Sequence, residues 1–209
     1  DVPPADSFRR PPRLSLAIRG VGGQGNLFFG KVLAQVAFLA GYDDRNILKG
    51  ETHGMAQMGG PVISTFGCGE VFSPALVPGT ANVLIAMEKA EVLRPGFLDL
   101  LEPGGTVLMA DTRILPHGLK PEAYPSDEAI AAQLEGYRVV SVLSIALNLG
   151  DPKGRCANVA MLGVLSTLPP FDVVPEAVWL QALRGISRKP ALWDLNHAAF
   201  MAGRGMQKG

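Results

Sequence analysis

The stretch Leu14–Tyr42, LSLAIRGVGGQGNLFFGKVLAQVAFLAGY, decides how this chain folds. It begins as a short apolar strand, turns through glycines and continues as an apolar helix of about four turns. The turn, Gly20-Val21-Gly22-Gly23-Gln24-Gly25, carries the G-x-G-x-x-G spacing on Gly20, Gly22 and Gly25. Glycine accepts positive φ at such a turn and, without a Cβ, lets a ligand or a neighbouring backbone come close. The unpaired N–H groups that open the next helix favour an anion. The bare chemistry is therefore a cradle for a phosphate or carboxylate at the carboxyl end of a first β-strand. Two other uses stay open. A nicotinamide site adds an acid about 20 residues further on, at the end of a second strand. Asp43 and Asp44 stand near that distance, but where the second strand begins. A tight βα turn that only packs helix on sheet needs no ligand at all.

Working outward, 209 residues that are 47% hydrophobic and 18% charged suffice for one large or two small globular domains. Lys+Arg and Asp+Glu both number 19, so no basic surplus points to nucleic acid or to a membrane surface. No apolar run reaches the roughly 18 residues of a membrane-spanning helix. Residues 1–13, DVPPADSFRRPPR, show no signal-peptide pattern and are expected to be a disordered lead-in. The two cysteines, Cys68 and Cys156, are too few for a zinc site or an iron–sulfur cluster and are expected to be buried free thiols. A cytoplasmic protein fits these features.

Helix one is expected over 26–40, closed by Gly41. A short second strand is placed near Asn46-Ile47-Leu48, followed by the glycine-rich, aperiodic segment Glu51–Gly60. Pro61–Glu70 alternates as a strand. Asn82–Met87 and Thr106–Ala110 are buried strands, with a helix between them over 90–101. A helix capped by Ser126 runs through Glu135, and Tyr137–Leu143 is the next strand. The last third is helical: 158–168, 175–183 and 192–204. The order predicts one α/β domain over 14–205, with a frayed tail at 206–209. It is Rossmann-like: a mostly parallel sheet flanked by helices, with a hairpin-like insertion near 44–70. Ligands in such sheets sit off the carboxyl ends of the strands. That rule gathers Gly20–Gly25, Met87–Lys89, Asp111 and Ser144 around one crevice.

No complete catalytic set is visible. His53, His117 and His197 share no metal-ligand spacing, and no G-x-S-x-G elbow, lysine-bearing phosphate loop or C-x-x-C occurs. His117 lies in a Pro/Gly loop and His197 in a helix beside Asn196, which suits a structural role. Glu88, just past a buried strand, suits either a ligand hydroxyl or the cap of the next helix, with capping favoured. The segment around His53 stands out, because Met55, Ala56 and Met58 would expose apolar surface on a lone monomer. It reads as an interface.

At these residues the sequence resembles a known family. GVGGQG after strand one, with the helix that follows, resembles the γ subunit or γ domain of the 2-oxoacid:ferredoxin oxidoreductases. ETHGMAQMGGPVISTFGCGEVFSP is similar, more closely still, to the β subunit of indolepyruvate:ferredoxin oxidoreductase, a stand-alone version of that domain. NVLIAMEKAEVLRPGFLDLLEPGGTVLMADT, NVAMLGVL and the closing Asn196, Ala199, Phe200 and Gly203 continue the likeness over about 14–205. One position departs from it: Met58 stands where the family carries Arg before its paired glycines.

The resemblance implies a subunit of an enzyme that oxidatively decarboxylates a 2-oxoacid, here an indolepyruvate or another arylpyruvate, to acyl-CoA and CO2 while reducing ferredoxin. Thiamine diphosphate, magnesium and 4Fe-4S clusters are expected in a partner α subunit, so that no catalytic residue and no metal site falls on this chain. It would be active only in a hetero-oligomer, reaching ferredoxin indirectly. Gly20, Gly22, Gly23, Gln24, Gly25 and Asn26 are the residues expected at coenzyme A phosphate or at the partner. Glu51, His53, Gln57, Met58, Gly59 and Gly60 are expected at the subunit interface, near the mouth of the active site. An independent NAD(P)-binding dehydrogenase and a purely structural subunit are the competing readings.

Overall fold

Strand β1 (Arg13–Val21) takes the apolar stretch before the glycines, and helix α1 (Asn26–Leu39) the stretch after them. The computed structural model describes residues 3–21, 26–53, 61–115, 120–143, 156–187 and 189–206. Helix α1 ends at Gly41, whose φ of +83° few other residues tolerate. The Gly41 N–H bonds the Phe38 carbonyl at 3.0 Å and the Tyr42 N–H bonds that of Ala37 at 3.1 Å. These are the paired bonds of a Schellman cap.

The other strands are β2 (Ile47–His53), β3 (Pro61–Gly69), β4 (Ala81–Ala86), β5 (Leu101–Asp111) and β6 (Arg138–Leu143). Among the described residues they form one six-stranded sheet in the order β2-β3-β1-β4-β5-β6. β1, β4, β5 and β6 are parallel, while β3 runs antiparallel to both β1 and β2. β2 therefore points the same way as the parallel set, and β3 alone is reversed. The hairpin-like insertion is this β2–β3 pair, added as the outer wing of a parallel sheet.

Alternation along the strands divides the core into two faces. Leu14, Leu16 and Ile18 of β1, Val83 and Ile85 of β4 and Leu108 and Ala110 of β5 pack on the first. That face is covered by α1 and by the helical last third: α3 (Ala157–Leu165), α4 (Glu176–Ile186) and α5 (Pro190–Gly205). Ala17, Leu84, Ala86 and Val107 point to the second face, against Val92, Phe97 and Leu98 and helix α2 (Asp127–Gln133). α3 is buried without a break from Val159 to Leu165, which is why its sequence is apolar on every side. Trp179 of α4 lies between the rings of Phe171 (6.4 Å) and Phe200 of α5 (6.2 Å).

Three expectations need revision. The helix placed over 90–101 is two short 3-10 segments, Lys89–Leu93 and Leu98–Leu100, because Pro95 and Gly96 (φ +79°) interrupt it. β2 runs on through Glu51, Thr52 and His53, which the glycine-rich composition had assigned to an irregular segment. β5 starts at Leu101, so that Pro103-Gly104-Gly105 falls inside it. Residues 3–12 lie against the domain. Phe8 packs on the core, the Tyr42 hydroxyl donates to the Pro11 carbonyl at 2.7 Å, and the Arg10 guanidinium sits over the Tyr42 ring. Cys68 and Cys156 are both buried, and neither forms a disulfide among the described residues. Among the described residues no helix is long and apolar enough to cross a membrane.

Candidate functional site at the carboxyl edge of the sheet

With five strands pointing one way, the ends of β1, β2, β4, β5 and β6 come to the same edge. The reversed β3 starts there. Register makes the arrangement specific: Val21 pairs with Pro61, and Val62 lies between Gly20 of β1 and His53 of β2. Val21, where the described part of β1 ends, His53 and Pro61 are thus neighbours at this edge, although far apart in sequence. Gly20 is buried within β1, Asn26 opens α1, and Glu51 and His53 lie near the end of β2 with Glu51 exposed. Gly22, Gly23, Gln24 and Gly25 lie outside the described residues, as do Gln57, Met58, Gly59, Gly60, His117 and Ser144.

β1 and β4 mark the point where the winding of the sheet reverses. β1 continues into α1 on the first face, toward β3 and β2. β4 continues into the 3-10 turn on the second face, toward β5. Crevices at such a reversal are where open α/β sheets place ligands. The Met87 N–H joins the two strands by bonding the Arg19 carbonyl at 2.8 Å.

Charged side chains are concentrated here. Glu88, only 2% exposed, caps the 3-10 turn by accepting the Ala90 N–H at 3.1 Å. It also accepts the Tyr124 hydroxyl and the Ile114 N–H (3.4 Å), fastening the chain beyond β5 onto the end of β4. Capping, rather than a free carboxylate for a ligand, is its role. Burial pushes its pKa above the ordinary glutamate value against the pull of these three donors. Lys89 bonds Asp127 at 2.6 Å and Asp111 at 3.1 Å, and its pKa is raised chiefly by the Asp127 bond. Asp111, expected at the crevice, is thus found there with a cation attached.

Arg19, Glu91 and Arg94 form a second cluster that motif reading missed. Glu91 is 3% exposed and accepts from the Arg19 Nε at 3.3 Å and the Arg94 Nε at 3.1 Å, one on each carboxylate oxygen. The Arg19 guanidinium lies 5.7 Å from the Phe97 ring centre. Its pKa is lowered first by burial, then further by Arg94, while Glu91 opposes the shift. One signal was available: an arginine directly after the apolar run Leu16-Ala17-Ile18 and directly before the glycines. His197 lies elsewhere, on α5, with its ring 5.2 Å from that of Trp193, and Asn196 beside it donates to the Ser187 hydroxyl at 2.7 Å.

Comparison with known proteins identifies the family and the fold. The family model described as pyruvate ferredoxin/flavodoxin oxidoreductase matches residues 15–206. Indolepyruvate oxidoreductase subunit IorB of Thermococcus kodakarensis is 34% identical over 195 residues, covering 90% of this chain and 93% of that one. The subunit of the same name from Archaeoglobus fulgidus is 32% identical over 157 residues, covering 73% and 76%. Among solved structures, pyruvate oxidoreductase subunit PORC of Thermotoga maritima shares the fold with a TM-score of 0.66 at 19% identity, over 92% of this chain and 96% of that one. The 2-oxoglutarate:ferredoxin oxidoreductase of Magnetococcus marinus, solved with 2-oxoglutarate, coenzyme A and succinyl-CoA, gives 0.69 at 19% identity, over 95% of this chain and 32% of that one. The chain belongs to the pyruvate ferredoxin/flavodoxin oxidoreductase family and is a subunit of an oxidoreductase of the 2-oxoacid:ferredoxin kind.

Proposed function

We propose that this chain is the partner-dependent subunit of a cytoplasmic indolepyruvate- or arylpyruvate-type 2-oxoacid:ferredoxin oxidoreductase. The overall reaction converts a 2-oxoacid and coenzyme A to acyl-CoA and CO2, and its two electrons leave to ferredoxin. The partner subunit holds thiamine diphosphate with its magnesium, and the 4Fe-4S clusters; together these supply the decarboxylation and electron transfer. This chain binds and orients. The turn from Gly20 to Asn26 takes a phosphate of coenzyme A, and the segment from Glu51 to Gly60 closes on the partner at the mouth of the active site.

The register that sets Val21 opposite Pro61 supports this reading, because the described residues flanking the two segments lie at one edge of the sheet. The subunit name shared by the relatives from Archaeoglobus and Thermococcus favours the aryl substrate. The donors at the same crevice, two guanidinia against one carboxylate, suit an anionic ligand. Purification of the native complex tests it. Iron, thiamine and a second subunit are expected to travel with this chain, and arylpyruvate oxidation to require all of them. Turnover of the oxoacid by the purified chain alone would overturn the proposal.

A further inference from the structure

We infer that Arg19 and Arg94 form an anion seat in the crevice between β1 and β4, taking a phosphate or carboxylate group of the ligand that enters there. The seat rests on the proposed function only for the identity of that ligand.

Charge supplies the first argument. Two guanidinia meet the single Glu91 carboxylate. The neighbouring Glu88, which feels the Glu91 charge, has its pKa raised by burial and is taken up by three donors of its own, so the arginines outnumber the acid they touch. Arg19, with 17% of its side chain exposed, carries its charge largely out of water, and burial lowers its pKa accordingly. A plain structural pair would need only one arginine.

Geometry supplies the second. Each arginine approaches Glu91 through Nε. The terminal Nη1 and Nη2 groups, which together grip a carboxylate or phosphate side by side, make no hydrogen bond to Glu91 among the described residues. Phe97 lies against the Arg19 guanidinium and helps to fix its orientation. Arg94 keeps 43% of its side chain exposed and can meet a ligand arriving from solvent.

Position supplies the third. Arg19 is the last residue before Gly20, and its carbonyl ties β1 to the end of β4 through Met87. The arginine pair therefore sits at the reversal of the sheet.

The test is calorimetric titration of the full chain with inorganic pyrophosphate, coenzyme A and phenylpyruvate, before and after Arg94→Gln and Arg19→Gln. Saturable binding that weakens with added salt is expected. Arg94→Gln should weaken it about tenfold or more, the worth of one charged hydrogen bond, while circular dichroism shows the variant still folded at the titration temperature. Arg19→Lys serves as a second variant should Arg19→Gln fold poorly; it keeps the charge, loses the fork and is expected to bind more weakly than the parent. Binding of pyrophosphate and coenzyme A through these arginines identifies a phosphate, and binding of phenylpyruvate alone a carboxylate. Unchanged affinity in the variants overturns the seat. So does absence of saturable binding of all three probes, both to the chain and to its complex with the partner. Failure to find a thiamine-bearing partner, with probe binding intact, would remove the proposed function and leave the seat standing.

Discussion

Gly163 of α3 lies against the carbonyl of Phe200 on α5, so close that a Cβ added at Gly163 would overlap it. The contact is reciprocal, since a Cβ at Gly203 would overlap the Ala160 carbonyl. The two helices therefore meet backbone to backbone, and no side chain there can rotate out of the way. Gly163→Ala and Gly203→Ala are each expected to destabilise the domain by about 3 kcal/mol, the upper end of ordinary overpacking. Gly185→Ala on α4 is the control, because an added Cβ there meets nothing within 4 Å. It should be neutral or stabilise by roughly 0.5–1 kcal/mol through helix propensity. Urea denaturation of the three variants checks the ordering.

At the opposite edge of the sheet, Asn82 replaces backbone pairing where β1 and β4 first approach. Its Oδ1 accepts the Ser15 N–H at 2.8 Å, and its Nδ2 donates to Glu102 at 2.7 Å, which in turn pairs with Arg13. Asn82→Leu leaves that N–H without a partner and should cost about 1–3 kcal/mol. Asn82→Asp keeps the acceptor but sets a carboxyl against Glu102. Its instability should grow as the pH rises above the carboxylate range and shrink below it. Melting curves at several pH values distinguish the two variants.

The pH dependence of Glu88 runs opposite to that of an ordinary paired acid. Burial raises its pKa in the folded chain, so between the unfolded and folded values the folded chain binds more protons. Stability from this group is therefore full below the ordinary glutamate range and falls as the pH rises through the raised value. Tyr124 opposes the shift by donating to the carboxylate. Tyr124→Phe should push the Glu88 pKa higher still and deepen the loss toward neutral pH. Asp127, held low first by its hydrogen bond to Lys89, behaves in the usual sense: its contribution is lost as the pH falls. Carboxyl stretching bands followed against pH would show the two groups moving apart, and a Glu88 band unmoved by Tyr124→Phe would refute the coupling.

The first helix and its Gly41 stop were legible because each depends on neighbours within a few residues. The same holds for Glu88 as a cap, placed two residues from the N–H it accepts. The 90–101 helix failed because apolar spacing outweighed Pro95-Gly96, which break the segment locally. β2 was cut short because Gly50 hid a strand whose pairing partner lies across the hairpin: Gly50 pairs with Thr65. Arg19 and Glu91 are 72 residues apart and meet only through the β1–β4 crossover. No local pattern encodes such a meeting, although a charge inside a buried strand hints at one. The rule of carboxyl ends brought both Lys89 and Asp111 to this edge, but not the ion pair between them, since that contact is set by the fold around both.

The glycine turn separates the readings that the sequence left open. If Gly20–Asn26 takes a phosphate of coenzyme A, a side chain at its middle glycine should obstruct the ligand while leaving the partner surface in place. Gly22→Val is therefore expected to raise the KM for coenzyme A in the assembled enzyme by about tenfold or more, the worth of one lost hydrogen bond to a charged group. The partner should still co-purify in full, and the apparent KM for the oxoacid should move little. A structural turn predicts the reverse: the partner is lost, and whatever complex remains shows an unchanged KM for coenzyme A. A nicotinamide site predicts saturable NAD(H) binding by the parent chain that Gly22→Val abolishes. Steady-state kinetics of the reconstituted complex, with one NAD(H) titration of the chain alone, discriminate among all three, because each reading moves a different quantity.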